Sequence, residues 1–307
     1  MENIKIDFQK HIDAGRCNGA EWIINYENKV YHDVIGYKDL DLKDKLNKNS
    51  YYRVWSMTKP IVGFAAMQLA EKKFLSLDDT IDRYLPEFKN IKKLNSLTSK
   101  LSDTSPVDNL PTIRQLLQHT AGFTYNSSDN NLAQEYEDKG LFHSPTSSLE
   151  EEVNKILELP LLYEPGSNWH YSISIDILAR IIEIVTKDKI INILKENIFD
   201  PLEMNQTNFF INESNQKNLV ETFEYSFDKS QLTNLNFDKR KLILYGYPTT
   251  NQNYSRGGHG LFSTAEDYAK FATMLINGKN KNSKPLVNTD TLEIMRNNSL
   301  TADLFPL

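Results

Sequence analysis

The sequence predicts an α+β protein, in which an antiparallel hairpin near the N-terminus is followed by a mainly helical chain. Residues 20–26 and 30–37 are rich in β-branched and aromatic side chains and are joined by the short segment 27–29, which is typical of a β-hairpin. Residues 61–70 are apolar on nearly every side of a helix, so we expect this helix to be buried. Since two strands alone are only marginally stable, we also expect more sheet beside the hairpin.

Local signals set the boundaries of several helices. Proline is accommodated in the first turn of a helix, so Pro60 places the start of the buried helix just before it. Three residue pairs have the spacing of a capping box, in which a Ser or Thr and a later Glu or Gln cap each other's backbone N–H groups. The pairs are Thr112 with Gln115, Ser148 with Glu151, and Ser263 with Glu266, and Gly278 is a suitable stop for the last helix.

Tyr171 is expected in a loop that leads into another packed helix. The apolar residues after Tyr171 recur at helical spacing, at Ile175, Leu178, Ile181, Ile182 and Val185.

No internal repeat or domain boundary is visible, so we expect residues 1–307 to form a single domain with two lobes.

Composition argues against several classes of protein. The 307 residues carry a formal net charge of −6 and contain no basic stripe, so nucleic-acid binding is not expected. The charged N-terminal segment lacks the apolar core of a secretory signal, and no apolar run approaches a membrane span, so we expect a cytoplasmic protein without membrane contact. Cys17 is the only cysteine and the six histidines show no paired ligand spacing, so neither a disulfide nor a metal site is expected.

Ser56 and Lys59 form the most informative pair of polar residues in the sequence. The segment Ser56-Met57-Thr58-Lys59 places an amine and a hydroxyl on one face of the first helical turn. A serine hydroxyl is a poor nucleophile until a base takes its proton, and a lysine partly buried beneath an apolar helix can serve as that base. The pair is therefore chemically sufficient for acyl transfer.

The Ser-x-x-Lys pattern is weak when it is taken alone. It also occurs at Ser214 to Lys217 and at Ser226 to Lys229, which we interpret as surface coincidences. Ser56 differs because it directly precedes the most apolar helix of the chain. From the residues alone, a catalytic serine and a plain helix cap remain equally good interpretations of Ser56.

Seven ordered motifs lie along the chain between residues 52 and 264. They are 52–60 (YRVWSMTKP), 77–86 (LDDTIDRYLP), 112–123 (TIRQLLQHTAGF), 163–166 (YEPG), 169–172 (WHYS), 198–204 (IFDPLEM) and 257–264 (GGHGLFST). Together they resemble the β-lactamase-related serine hydrolases, the group that contains class C β-lactamases, D-alanyl peptidases and family VIII esterases. So many motifs in the same order make a chance match implausible.

The resemblance implies a β-lactamase/transpeptidase-like fold, with an antiparallel sheet flanked by helices, a helical lobe, and the pocket between them. It implies that Ser56 is the nucleophile and that Lys59 and Tyr171 handle its proton. The lactamase and peptidase form has Asn two residues after the tyrosine, where this chain has Ile173. That departure argues against β-lactam or peptide recognition and resembles the esterase branch.

The glycine-rich segment is expected to approach the pocket. Gly258 and Gly260 let the backbone pass close to the site, and His259 is a candidate for lining it. Together with Ile173, these are the predicted substrate-binding residues. His119 is expected to brace a helix end by hydrogen bonds rather than to act in catalysis.

The family resemblance also predicts a third motif, a Lys, His or Trp followed closely by Gly, on a strand after the glycine-rich segment. No such strand follows the helix expected near residues 291–297, so we expect a truncated form that lacks several C-terminal strands. By the same resemblance, that strand would supply one of two oxyanion-hole N–H groups. Loss of one such donor typically lowers the rate about 100-fold to 1000-fold.

The predicted function is hydrolysis of a carboxylic ester, or a related acyl compound, through an acyl-enzyme on Ser56. The predicted substrate is a small-molecule ester or amide, and no cofactor is needed. Two alternatives remain open: a β-lactamase or D-amino-acid peptidase, and an inactive binding or assembly protein that keeps the fold. The sequence does not indicate an oligomeric state.

Overall fold

The computed structural model describes residues 2–27, 29–41, 44–226, 228, 230–234, 250 and 253–304 as helices joined by short antiparallel ladders. The helices are α1 (Glu2–Asp13), α2 (Thr58–Glu71), α3 (Ile113–Gln118), α4 (Asn131–Asp138), α5 (Leu149–Asn154), α6 (Ser174–Thr186), α7 (Ile190–Leu194), α8 (Asp200–Leu202), α9 (Ala265–Asn277) and α10 (Thr289–Arg296). The strands are β1 (Gly19–Tyr26), β2 (Lys29–Gly36), β3 (Tyr52–Arg53), β4 (Lys92–Leu94), β5 (Thr104–Pro106), β6 (Phe223–Ser226), β7 (Gln231–Asn234) and β8 (Phe262–Ser263).

The N-terminal hairpin is confirmed. Strands β1 and β2 pair in antiparallel register from Gly19 opposite Gly36 to Tyr26 opposite Lys29, and Asn28 in the turn lies outside the described residues. The expected additional sheet is not found beside it in the described ranges, where the strands form four separate two-stranded ladders. Helices α1 and α9 contact the hairpin instead, so helices supply the support that further strands were expected to give.

Helix α2 is the buried helix that the sequence predicts, and Pro60 is its third residue. The side chains of Ile61, Val62 and Phe64 have no exposed surface, and the helix contacts α6, α7 and α10. Helix α6 is the helix predicted after Tyr171, and it also contacts α3 and α5. The α2 and α6 pair therefore forms the centre of the largest apolar cluster.

Two of the three predicted capping boxes are confirmed, at Thr112 with Gln115 and at Ser148 with Glu151. The predicted pair of Ser263 and Glu266 is wrong by one residue. Ser263 is still part of strand β8, where it pairs with Tyr52, so the next residue, Thr264, caps α9 by accepting from the Asp267 N–H. Gly278 ends α9 in the left-handed conformation at φ 71°, as predicted.

The short ladder of β3 and β8 connects two segments that are far apart in sequence. Tyr52 pairs with Ser263 and Arg53 with Phe262. The connection continues beyond the ladder, because the Val54 N–H donates to the Leu261 carbonyl at 3.0 Å. The start of α2 is thereby held against the glycine-rich segment.

Among the helices that the structure describes, none combines the length and the apolar character needed to cross a lipid bilayer.

Removal of a buried side chain from α6 should destabilise the whole arrangement. Ile177 has no exposed surface, so we expect Ile177→Ala to lower the free energy of unfolding by about 2–5 kcal/mol. The matched control is Ile276→Ala on α9, whose side chain is 73% exposed and whose effect should stay within about 0.5 kcal/mol. Urea denaturation measures both values, and equal losses would contradict the assignment of α6 to the core.

Candidate active site

Ser56 lies in a short 3₁₀ turn, Trp55–Met57, directly before α2. The N-cap position of α2 is Met57, and no side chain caps it, so the interpretation of Ser56 as a plain helix cap is wrong. Trp55 adopts φ 48°, a left-handed conformation that is unusual for a bulky residue and costs about 1–3 kcal/mol. The Tyr268 hydroxyl donates to the Met57 carbonyl at 2.9 Å and holds the other side of the turn. The Ser56 side chain is exposed to solvent.

The structure brings the three predicted catalytic residues together. The Tyr171 hydroxyl donates to Ser56 Oγ at 2.7 Å, and Lys59 Nζ donates to the same oxygen at 3.1 Å. Both distances lie within the range in which a proton can pass directly between the groups. Ser56 Oγ is thus the meeting point of an amine from α2 and a phenol from the loop before α6.

Lys59 is held on several sides. Its side chain is 9% exposed, and Nζ also donates to the Gly258 carbonyl at 2.6 Å. The amine lies 4.6 Å from the centre of the Tyr171 ring and 5.4 Å from that of the Tyr125 ring. Contacts of a cation with aromatic faces are attractive, so the rings and the carbonyl together fix the direction of the amine toward Ser56.

His119 positions the loop that carries Tyr171. It ends α3 in the left-handed conformation at φ 58°, and its Nδ1 accepts from the Ser172 N–H at 3.2 Å. Burial, followed by the nearby charge of Lys59, lowers the pKa of His119 to about 4. A neutral ring can accept this hydrogen bond whereas an imidazolium cannot. His119 therefore connects the end of α3 to the loop of Tyr171, whereas the sequence analysis predicts only that it braces a helix end.

Glycine is required at two positions beside Lys59. A Cβ on Gly258 would lie 2.4 Å from Asp176 Oδ2 and 2.7 Å from the Tyr125 hydroxyl. A Cβ on Gly257 would lie 2.1 Å from the Ile175 carbonyl oxygen. The backbone of this segment therefore packs directly on α6, which places the Gly258 carbonyl within reach of Lys59.

The other predicted substrate-binding residues, Ile173, His259 and Gly260, are buried. The His259 ring is 6% exposed, contacts the Tyr254 hydroxyl at 3.2 Å, and has a pKa that burial lowers to about 3. Ile173 is 1% exposed and belongs to the main apolar cluster. Gly260 adopts φ 112° against the Phe209 ring. Contact of these residues with a substrate stays a prediction.

Two residues at the site were not singled out from the sequence. Tyr125 lies in a loop without periodicity, and its ring centre is 5.5 Å from that of Tyr171. Burial, followed by the nearby charge of Asp176, raises the pKa of Tyr125 well above its usual value, so Tyr125 remains a phenol. Asp176 stands between Ile175 and Ile177 near the start of α6, and a charged residue between apolar neighbours is the signal that could have identified it.

A groove with a volume of about 530 Å³ adjoins the site on the Lys59 side. Its lining includes Trp169 and Ile175, together with Leu292 and Met295 of α10. These side chains are apolar, so the groove suits the hydrocarbon part of a ligand. In the described part of the chain, His, Cys, Asp and Glu form no cluster of three suited to a metal ion.

The lowered pKa of His119 predicts a loss of stability in acid. The unfolded chain binds a proton near pH 6.5 and the folded chain only near pH 4, so the free energy of unfolding should fall as the pH drops between these values. We expect urea midpoints at pH 7 and pH 5 to differ less in His119→Gln than in wild type. The control is His11→Gln, at an exposed position of α1, which should behave as wild type. If the difference between the two urea midpoints is the same in His119→Gln as in wild type, His119 is not the source of the pH dependence.

The chain is similar to known proteins along most of its length. The sequence profile of the beta-lactamase family matches residues 7–304. An uncharacterized protein of Mycobacterium tuberculosis is 28% identical over 292 residues, covering 94% of this chain and 70% of that protein. Lovastatin esterase of Penicillium rubens is 28% identical over 283 residues, covering 88% of this chain and 67% of the esterase.

The fold is shared with solved structures. EstCE1, described as a hydrolase with promiscuous acyltransferase activity, has a TM-score of 0.78 and 26% identity, covering 96% of this chain and 76% of EstCE1. This likeness confirms the predicted β-lactamase/transpeptidase-like fold. Since the family profile spans nearly the entire sequence, the chain belongs to the beta-lactamase family.

Proposed function

We propose that this chain is a serine hydrolase that cleaves carboxylic esters through an acyl-enzyme on Ser56. The observation that carries the proposal is the position of Ser56 Oγ, 2.7 Å from the Tyr171 hydroxyl and 3.1 Å from Lys59 Nζ. A hydroxyl in this arrangement has two groups that can take its proton and return it. Helix capping does not explain this position of Ser56, since no side chain caps α2.

In the first step, Ser56 Oγ attacks the ester carbonyl carbon while its proton passes to Lys59 or Tyr171. The negative charge that develops on the carbonyl oxygen is stabilised by the Ser56 backbone N–H. The tetrahedral intermediate then breaks its bond to the alcohol oxygen, which receives the proton from the same pair of residues. The products of this step are a free alcohol and an acyl ester on Ser56.

In the second step, water replaces the alcohol and the same residues act in reverse order. Lys59 or Tyr171 takes a proton from the water as its oxygen attacks the acyl carbon, and the bond to Ser56 Oγ breaks. Ser56 is reprotonated and the carboxylic acid leaves. The reaction uses protein side chains and water alone, so the proposal requires no cofactor.

The environment of Tyr171 suits this exchange of protons. Lys59 Nζ lies 4.6 Å from the Tyr171 ring centre, so an ammonium there would stabilise negative charge on the phenol oxygen. Tyr125, with its raised pKa, stays protonated and does not compete for the proton of Ser56. The Tyr171 side chain is 39% exposed, which leaves its hydroxyl open to a leaving group.

Esters are favoured over β-lactams and peptides because of Ile173. An amide at that position could hold the acylamide side chain of a lactam or peptide, whereas Ile173 is 1% exposed and packs in the core. The apolar groove beside Lys59 offers space for the hydrocarbon part of an ester. Of the similar proteins, one is named lovastatin esterase and EstCE1 is described as a hydrolase with promiscuous acyltransferase activity.

Removal of the nucleophile should abolish the reaction. We expect Ser56→Ala to lower the rate of hydrolysis of p-nitrophenyl butyrate by about 1000-fold or more, because no acyl-enzyme can form. The matched control is Ser214→Ala, in the exposed second Ser-x-x-Lys segment, which should retain wild-type activity. Equal activity of wild type and Ser56→Ala would contradict the proposal, and nitrocefin turnover faster than ester turnover would favour a β-lactamase.

The Tyr171 hydroxyl should contribute to the chemical steps rather than to binding. We expect Tyr171→Phe to lower kcat by about 100-fold to 10,000-fold with little change in KM, as is typical when a proton-transfer group is lost. Tyr31→Phe, in the exposed part of the hairpin, is the control with wild-type kinetics. Steady-state kinetics of the ester distinguish the two outcomes, and an unchanged kcat in Tyr171→Phe would remove Tyr171 from the mechanism.

A further inference from the structure

We propose that Asp176 is a positioning residue for Lys59, acting through Gly258 and through its own charge. This inference rests on the proposed function, because it concerns the amine that exchanges a proton with Ser56. Asp176 is the third residue of α6, five residues after Tyr171, and it touches neither Ser56 nor open solvent, since it is 1% exposed.

Two hydrogen bonds in series connect Asp176 to Lys59. The Gly258 N–H donates to Asp176 Oδ1 at 2.9 Å, and the Gly258 carbonyl accepts from Lys59 Nζ at 2.6 Å. Both bonds are made by the same residue, Gly258, which packs closely against Asp176 and Tyr125. Asp176 therefore fixes the point toward which Lys59 is directed.

A role in stability alone does not explain the carboxylate. Asp176 Oδ2 is buried and has no hydrogen-bond partner among the described residues. A buried polar atom without a partner typically costs about 1–3 kcal/mol, and more when it is charged. An asparagine could accept the Gly258 N–H equally well, so the negative charge requires a different explanation.

The charged groups around Asp176 supply that explanation. Burial raises the pKa of Asp176, whereas the Gly258 N–H, then Lys59 and Arg256, lower it. Arg256 is already bound to the Ser147 carbonyl at 3.1 Å and lies 3.7 Å from Glu152.

The phenols of Tyr125 and Tyr254 also face Asp176, and burial raises the pKa of both. Neither phenol supplies a positive charge. With Arg256 already engaged, Lys59 is the cation that most needs a carboxylate partner.

The charge matters at one moment of the proposed reaction. When Ser56 attacks, its proton creates an ammonium on Lys59, a residue that is only 9% exposed. The Asp176 carboxylate, which Gly258 separates from Lys59, stabilises this ammonium. The Gly258 carbonyl keeps the ammonium directed at Ser56. Asp176 thereby strengthens Lys59 as a base without touching substrate.

The test is the titration of Lys59 in the intact chain, observed by NMR of ¹³Cε-lysine and assigned by the signal lost in Lys59→Met. Asp176→Asn keeps the volume and the acceptor for the Gly258 N–H but removes the charge. We expect the Lys59 midpoint to fall by about 1 pH unit in Asp176→Asn. The control Asp267→Asn removes another buried carboxylate, which is 2% exposed in α9, and should leave the midpoint unchanged. Equal midpoints in wild type and Asp176→Asn would overturn the proposal.

A reciprocal measurement covers the case in which Asp176→Asn does not fold. The coupling must act equally in both directions, so Lys59→Met should raise the midpoint of the Asp176 carboxyl ¹³C signal by the same amount. An unchanged Asp176 midpoint would overturn the proposal. Both titrations are made without substrate, so they are decided separately from the proposed function, which fails if wild-type Ser56 forms no acyl-enzyme. In active protein, the acid limb of kcat/KM should move to lower pH in Asp176→Asn.

Discussion

The arrangement of the site depends on the burial of one amine, that of Lys59, between α2 and the glycine-rich segment. A buried lysine needs hydrogen-bond acceptors and attractive contacts for its amine, and here these come from Ser56 Oγ, the Gly258 carbonyl and the aromatic faces of two tyrosines. Each of these groups belongs to a different part of the sequence. The contacts of this amine therefore bring Ser56, Tyr171 and Gly258 together at this place in the fold.

Short-range backbone and side-chain hydrogen bonds hold the segments around that amine in place. The β3 and β8 ladder attaches the turn of Ser56 to the segment of Gly258, and His119 fixes the loop of Tyr171 through the Ser172 N–H. The left-handed Trp55 introduces strain next to Ser56, which the packing of α2 must offset. Strain beside a reactive group is typical of functional sites, where it sets the direction of the side chain.

Much of the fold was predictable because its signals are local. The hairpin, the start of α2 at Pro60, the caps at Thr112 and Ser148, and the loop position of Tyr171 all follow from residues within a few positions of each other. The resemblance of ordered motifs then predicted the joint role of Ser56, Lys59 and Tyr171, which the residues alone left open.

Features that depend on distant partners could not be predicted. The cap of α9 shifted from Ser263 to Thr264 because Ser263 pairs with Tyr52, more than two hundred positions earlier in the sequence. The support of the hairpin by α9, rather than by further strands, also depends on residues far away in the sequence. The burial of His259 and the contact of Asp176 with Gly258 likewise depend on tertiary packing.

The proposed reaction passes through a covalently acylated Ser56, which can be trapped. Wild-type protein mixed with p-nitrophenyl butyrate and quenched in acid within the first turnovers is digested and analysed by mass spectrometry. We expect a butyryl group on the peptide that contains Ser56, and none on the corresponding peptide of Ser56→Ala. Ester turnover with the acyl group on another residue, or with no acylated peptide in either protein, would contradict the proposed reaction.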